Sequence, residues 1–149
     1  MNIAATRGFT MLELLTVVAI VAIGAATAVI SLGSVQTDVL EREGERLAAL
    51  LEAGRARSRM AGVPVIWRVE GEGFVFDGLP PGDGALPQHW LDESVHALGD
   101  ETLLLGPDPI IAAQGVTLVL GVEGAVRSIR VATDGLHPFA VETAEESAP

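Results

Sequence analysis

The fold is decided by the stretch Arg7-Gly8-Phe9-Thr10-Met11-Leu12-Glu13-Leu14-Leu15, where a short charged leader meets a long apolar run. Within residues 9–37 the only ionisable side chain is Glu13, and residues 14–30 are almost all Leu, Val, Ile and Ala. A helix needs about 20 apolar residues to cross a bilayer core. The apolar side chains of the run contribute about −3 to −7 kcal/mol toward insertion. We therefore predict a membrane-spanning helix.

Three features of the sequence bear on the orientation of this helix, on its insertion into the membrane and on whether it is retained. Arg7 is the only charged side chain before the run and the following flank is rich in acids, which predicts a cytoplasmic N-terminus and an exported remainder. Glu13 lies near the end of the run, where an acid costs less than the roughly 2.5 to 3.5 kcal/mol of the helix centre. A secretory signal peptide has a shorter apolar region, and Ser31-Leu32-Gly33-Ser34-Val35 is not a clean cleavage site. A retained anchor is favoured over a signal peptide.

Composition excludes several classes of function. The chain has 149 residues, which allows one domain and excludes a multidomain enzyme. Its mean hydropathy of +0.43 is too high for a disordered chain. It has no Cys, so a disulfide framework or a Cys-based metal or redox site is impossible. All nine basic residues are Arg, and the net charge of −11 argues against binding to nucleic acid.

Beyond the apolar run the sequence predicts an amphipathic continuation of the same helix. No Pro occurs before Pro64, and Gly62 with Pro64 forms a stop signal, so we predict one helix from about residue 9 to about residue 61. Helical periodicity separates two faces. The apolar face contains Leu40, Leu47, Leu50, Leu51, Gly54 and Ala61, and the polar face contains Glu41, Glu45, Glu52, Arg55 and Arg59.

From Val63 onward the pattern predicts β-structure. Val65, Trp67 and Val69 alternate with Ile66 and Arg68, which is the period of a strand. A turn at 70–73 then leads into Phe74-Val75-Phe76, and the two segments predict a hairpin. Gly and Pro residues predict a long loop at 77–88. Further short strands are predicted at 103–105, 116–120, 126–131 and 139–141. The predicted fold class is α+β, with one long N-terminal helix packed on an antiparallel sheet.

The junction at Gly8 resembles the processing motif of type IV prepilins and pseudopilins. It combines a leader that ends in Gly8, an aromatic residue at Phe9, a carboxylate at Glu13 and an apolar helix that starts at the cut. In that family a prepilin peptidase cuts after the Gly and methylates the new amine, which implies cleavage between Gly8 and Phe9 and N-methylation of Phe9. The resemblance also implies that Glu13 pairs with the Phe9 amine of a neighbouring subunit and sets the axial stagger. Without the resemblance, Glu13 is an interfacial acid that extends to the edge of the membrane.

Later segments are similar to the H-type minor pseudopilin of type II secretion and its relatives among minor pilins. These segments are 45–57, Gly62-Val63-Pro64-Val65 and 133–141, whereas 77–114 matches little in that group. The resemblance implies a cleaved leader at 1–8, a transmembrane and filament-core half of the helix at 9–35, and a periplasmic globular domain at 36–149.

No pattern for catalysis or metal binding stands out. His89, His96 and His137 lack ligand spacing, and the acidic pairs at 92–93 and 100–101 do not form an alternating calcium loop, so we predict no metal site. There is no Ser-His-Asp order or phosphate loop, so we expect neither an enzyme nor a cofactor. The large aromatic residues are predicted to form sheet core: Trp67, Phe74, Phe76 and Trp90.

The combined expectation is a structural subunit of a type II secretion pseudopilus, assembled near its tip to export folded proteins across the outer membrane. The expected partners are the prepilin peptidase, other minor pseudopilins, the major pseudopilin and the inner-membrane assembly platform. The expected location is the bacterial inner membrane as a single-pass protein, and the pseudopilus after assembly. A minor pilin of a type IV pilus remains open, as does a membrane-anchored periplasmic binding domain, which predicts no cleavage after Gly8.

Overall fold

The computed structural model describes residues 10–79, 84–122 and 125–142, and within these ranges it leaves out the side chains of residues 24–36, 122 and 125. The chain divides into two compact units, Met1–Val35 and Gln36–Pro149. The only helix among the described residues is α1, which runs over Met11–Ala61. It ends before Gly62, whose φ of 66° is left-handed and terminates the helix. The predicted end of the helix at about residue 61 is confirmed, and the helix begins at Met11, while the predicted start at residue 9 lies outside the described residues.

The membrane-spanning character of α1 is not established by the structure. Among the described residues, no helix has both the length and the apolar character that a bilayer crossing requires. The predicted span at 9–35 lies partly outside the described part of the chain, since residue 9 and the side chains of residues 24–35 belong to the part left out. The membrane-spanning role therefore stays a prediction.

The second unit contains two antiparallel sheets. The first sheet has the order β2-β1-β4 and consists of β1 (Ile66–Glu70), β2 (Gly73–Asp77) and β4 (Thr102–Leu104). The second has the order β3-β5-β6-β7 and consists of β3 (Val95–Ala97), β5 (Gln114–Val122), β6 (Ala125–Thr133) and β7 (Ala140–Glu142). The predicted hairpin is confirmed, since Val69 of β1 is opposite Phe74 of β2.

One strand was not predicted from the sequence. Strand β3 has three residues, and its register with β5 places Val95 opposite Leu120. A run this short has no alternation from which a strand can be recognised. It is ordered by β5 and by the backbone bond that Leu98 N donates to Thr117 O at 2.8 Å.

The core lies between the second half of α1 and the inner faces of the two sheets. Leu47 and Leu51 of the helix are fully buried, as are Trp67 of the first sheet and Leu118 of the second. The predicted burial of the aromatic residues is confirmed for Trp67, Phe74, Phe76 and Trp90. The structure is therefore α+β, with an N-terminal helix packed on antiparallel sheets.

Two helix glycines allow the sheets to approach α1. A Cβ atom at Gly54 would lie 2.9 Å from Leu105 Cδ1 and 3.1 Å from Phe76 Cε1, and one at Gly44 would lie 3.0 Å from Val141 Cγ2. Each glycine weakens the helix by about 1 kcal/mol relative to Ala. Close packing against the sheets offsets that cost.

Candidate functional site

The first turn of α1 carries the candidate assembly carboxylate. Thr10 caps the helix, because its Oγ1 and its carbonyl oxygen accept hydrogen bonds from Glu13 N at 3.3 and 3.1 Å. Glu13 lies in the first turn, where a negative charge interacts favourably with the helix dipole. Its side chain is exposed, and no ion pair among the described residues involves it. The carboxylate is therefore available to a group outside the described residues.

The helix around Glu13 is apolar on every side. Its large apolar side chains occupy successive turns without a polar face, and each is 49 to 89% exposed: Met11, Leu12, Leu14, Leu15, Val17, Val18, Ile20, Val21 and Ile23. A helix that is apolar all round is normally buried in a protein core or in a membrane. This segment therefore needs an apolar environment that the described residues do not supply.

The cleavage residues lie outside the described residues. Arg7, Gly8 and Phe9 precede Thr10, the first residue that the structure describes. Cleavage after Gly8 and methylation of Phe9 therefore stay predictions. The structure shows that Thr10, one residue after Phe9, caps α1 and that Glu13 lies in the first turn of this helix.

In the second unit, two pairs of charged residues on α1 anchor the loops. The first pair is Glu43 and Arg46, joined at 2.7 Å, with Glu43 only 1% exposed. Glu43 Oε2 accepts a hydrogen bond from Leu91 N at 2.8 Å, and an Arg46 nitrogen donates to His89 O at 3.0 Å. This pair fixes the segment before β3 to the helix.

The second pair is Glu52 and Arg55, and it corrects the predicted polar face. Arg55 is 3% exposed and donates to the carbonyl oxygens of Pro109 at 2.9 Å and Gly135 at 3.2 Å. Glu52 Oε1 accepts from Phe139 N at 3.1 Å. The prediction that Arg55 faces solvent is wrong. Loops distant in sequence cover this side chain, and their carbonyl oxygens accept its hydrogen bonds. Ala61, placed on the apolar face, is exposed.

In the turn after β6, hydrogen bonds stabilise the ionised form of the Asp134 carboxylate. Asp134 accepts hydrogen bonds from the backbone N–H groups of His137 at 2.8 Å and Leu136 at 2.9 Å, and its Oδ2 lies 2.7 Å from His137 Nδ1. These bonds, the backbone N–H of His137 first among them, hold the pKa of Asp134 well below its usual range.

A broad cleft of the second unit lies beside the β1–β2 hairpin. It has a volume of about 480 Å³ and is lined by residues that include Glu70, Glu72, His89 and Glu93. No group of three or more His, Asp or Glu side chains that could hold a metal ion occurs within the described ranges.

The comparisons with known proteins bear on the N-terminal segment. A family model described as the prokaryotic N-terminal methylation motif matches residues 3–29. No curated protein and no solved structure matches the chain. The methylation motif supports a type IV pilin-like protein, and the α+β fold with its helix packed on antiparallel sheets is consistent with that class. The motif also implies processing by a prepilin peptidase and assembly with other pilin-like subunits.

Proposed function

We propose that this chain is a minor pseudopilin of a type II secretion pseudopilus and acts near the tip as a structural subunit without enzymatic activity. The observation that carries the proposal is the segment Met11 to Ile23, which exposes apolar side chains on all sides within the residues that match the methylation motif. An all-apolar helix with one acid near its start suits a subunit that is stored in lipid and later packed among other helices. The assembled filament would take part in the export of folded proteins across the outer membrane.

The proposed mechanism is assembly. Before incorporation, residues 9–35 span the inner membrane, with the N-terminus cytoplasmic and residues 36–149 in the periplasm. On extraction, the same apolar surface packs against the helices of the major pseudopilin and the other minor pseudopilins, so lipid contacts are exchanged for helix contacts. The inner-membrane assembly platform drives this exchange.

Glu13 gives the assembly its register in this proposal. A carboxylate that enters an apolar helix bundle needs a partner of opposite charge. The methylated amine of Phe9 in a neighbouring subunit is the partner that cleavage after Gly8 would create. The exposed side chain of Glu13 in the capped first turn supports this role.

Intact-mass analysis of the membrane-extracted chain tests the proposal. We expect loss of residues 1–8 and an N-methylated Phe9 in cells with an active prepilin peptidase. The substitution Gly8→Val should leave precursor in the membrane, whereas Gly24→Val, a glycine of the same apolar run away from the junction, should be processed normally. An uncut terminus in such cells would contradict the pilin-like class and favour a membrane-anchored binding domain.

Export separates the two filament systems. Deletion of the chain should reduce secretion of a folded substrate across the outer membrane if it serves type II secretion. Loss of surface pili with intact secretion would instead indicate a minor pilin of a type IV pilus.

A further inference from the structure

Two loops of the second unit meet above the buried guanidinium of Arg55. Ile111 N, which follows β4 in the chain, donates to Gly135 O at 3.4 Å, and Arg55 donates to both Pro109 O and Gly135 O. On these adjoining loops Ile110 is 64% exposed and Leu136 is 67% exposed. We refer to Asp108, Ile110, Asp134 and Leu136 as the paired-loop surface.

The paired-loop surface is held rigidly by its own loops. Pro107 and Pro109 restrict the backbone on both sides of Asp108. The second loop is fixed by Thr133, whose Oγ1 donates to His137 O at 2.5 Å and accepts from Gly135 N at 3.0 Å. A surface that is already ordered loses little conformational entropy on binding. The exposed aliphatic side chains are therefore presented in a form suited to docking.

The charges of this surface indicate which partner it fits. Asp108 and Asp134 are exposed, and Asp134 is held in its ionised form by the bonds described above. Arg55 does not neutralise them at the surface, because it is buried against backbone carbonyls. A complementary surface carries Lys or Arg residues around an apolar recess.

The same surface on a second copy of this chain does not meet that requirement. The 36–149 region contains nineteen acidic residues against eight Arg, so it carries the whole net charge of −11. A symmetric contact between two copies would place Asp108 and Asp134 against the same carboxylates, and like charges in such a contact are destabilising. Anionic lipid headgroups are excluded by the same repulsion.

We propose that the paired-loop surface docks a different, basic subunit of the filament, whose apolar recess receives Ile110 and Leu136 and whose Lys or Arg residues pair with Asp108 and Asp134. This inference rests on the proposed function, since it takes the partner to be another pilin-like subunit. It adds the place of contact and the charge of the partner.

Site-specific photo-crosslinking of the full-length chain in the membranes of its own host tests the inference. A photoreactive residue replaces Leu136, and in a separate variant Ile110. The control replaces Leu98, which is 59% exposed and lies outside the paired-loop surface. We expect positions 136 and 110 to give one adduct with a protein that itself has a methylated N-terminus and Lys or Arg in the crosslinked peptide. The control position should not give that adduct.

Charge reversal provides the second readout. Asp108→Lys should reduce the adduct yield at position 136 about tenfold, because it replaces an attractive charge pair with a repulsive one. Asp100→Lys, the same change at an exposed acid elsewhere, should leave the yield unchanged. Unchanged thermal unfolding of both variants shows that the fold is preserved.

Several outcomes overturn the inference. These are an adduct with a second copy of the chain, an adduct with lipid, no adduct at positions 110 and 136, and a yield that is insensitive to Asp108→Lys. The mass of the chain in the same membranes reports separately on cleavage after Gly8. A correctly processed chain with no adduct therefore refutes the docking surface and leaves the proposed function intact.

Discussion

The guanidinium of Arg55 donates a hydrogen bond to the carbonyl oxygen of Gly135 at 3.2 Å and so joins α1 to the turn before the last strand. The same guanidinium nitrogen donates to Pro109 O at 2.9 Å. Three segments distant in sequence thus meet at one buried side chain. The loops of the second unit depend on this residue as well as on the apolar core.

Replacement of Arg55 should therefore destabilise the second unit. Arg55→Ala removes the side-chain donor to Pro109 O, one of the two donors to Gly135 O and the ion-pair partner of Glu52. We expect a loss of about 3 kcal/mol in the free energy of unfolding. Arg55→Lys should lose less, because one ammonium can still reach a carbonyl. The measurement is urea unfolding of the detergent-solubilised chain, followed by tryptophan fluorescence, since both Trp67 and Trp90 are buried in this unit.

Arg59→Ala is the matched control for Arg55→Ala. Arg59 is exposed in the last turn of the same helix, and its removal should change the free energy of unfolding by less than about 0.5 kcal/mol. Equal stability of the Arg55→Ala and Arg59→Ala variants would contradict the anchoring role of Arg55.

A larger side chain at Gly54 should destabilise the second unit. A Cβ at Gly54 would lie 2.9 Å from Leu105 Cδ1 and 3.1 Å from Phe76 Cε1, so both side chains would have to shift to accommodate it. We expect Gly54→Val to lower the free energy of unfolding by about 1 to 3 kcal/mol through overpacking. Ala49→Val, at an exposed position of the same helix, controls for the introduction of a β-branched residue without overpacking and should cost less than about 1 kcal/mol. If both variants are equally stable in the same urea assay, the close approach of helix and sheets at Gly54 is wrong.

The sequence predicts the parts of the fold that depend on residues close to one another in the chain. The helix end at Ala61 and the hairpin of β1 and β2 follow from Gly62, Pro64 and strict alternation, all of which act over a few residues. The burial of Arg55 and of Glu43 does not follow from periodicity. Each side chain is covered by a loop more than 40 residues away in the sequence and forms hydrogen bonds with the backbone of that loop. Strand β3 likewise exists only through its pairing with β5.

The functional candidates also divide into residues that are contiguous in the sequence and residues that the fold brings together. The methylation motif and Glu13 are recognisable because they are contiguous in the sequence. The paired-loop surface combines residues about 25 positions apart in the chain, so no local pattern indicates it. Its two halves are joined by Arg55 and by the bond from Ile111 to Gly135, both of which link positions distant in the sequence.

The solubility of the second unit can be tested directly. A fragment that begins at Gln36 lacks the apolar run, and its strong negative charge should keep it soluble and monomeric. Size-exclusion chromatography and circular dichroism without detergent are the measurements. The fragment should not bind duplex DNA at physiological salt, because it would repel the phosphate backbone. Micromolar or tighter DNA binding would contradict the argument from charge.

The role of Glu13 can be separated from membrane insertion and from cleavage. Glu13→Val removes a polar group from an apolar helix, so insertion should be unaffected, and cleavage after Gly8 should remain largely intact. Incorporation should fail, because a neighbouring amine in the apolar bundle would lose its counter-charge. The mature variant should therefore accumulate in the inner membrane, and export of a secreted substrate should fall at least about tenfold.

Glu13→Asp is the matched variant, since it keeps the charge and shortens the side chain by one methylene group. We expect it to recover part of the crosslinking to partner subunits and part of the export. The two variants thus distinguish a role for the charge from a role for the shape of the side chain. If Glu13→Val crosslinks to its partners and supports export as the wild type does, the pairing with a neighbouring Phe9 amine is wrong for this subunit. Glu13 would then be an interfacial acid whose only interaction is with water and with the dipole of its own helix.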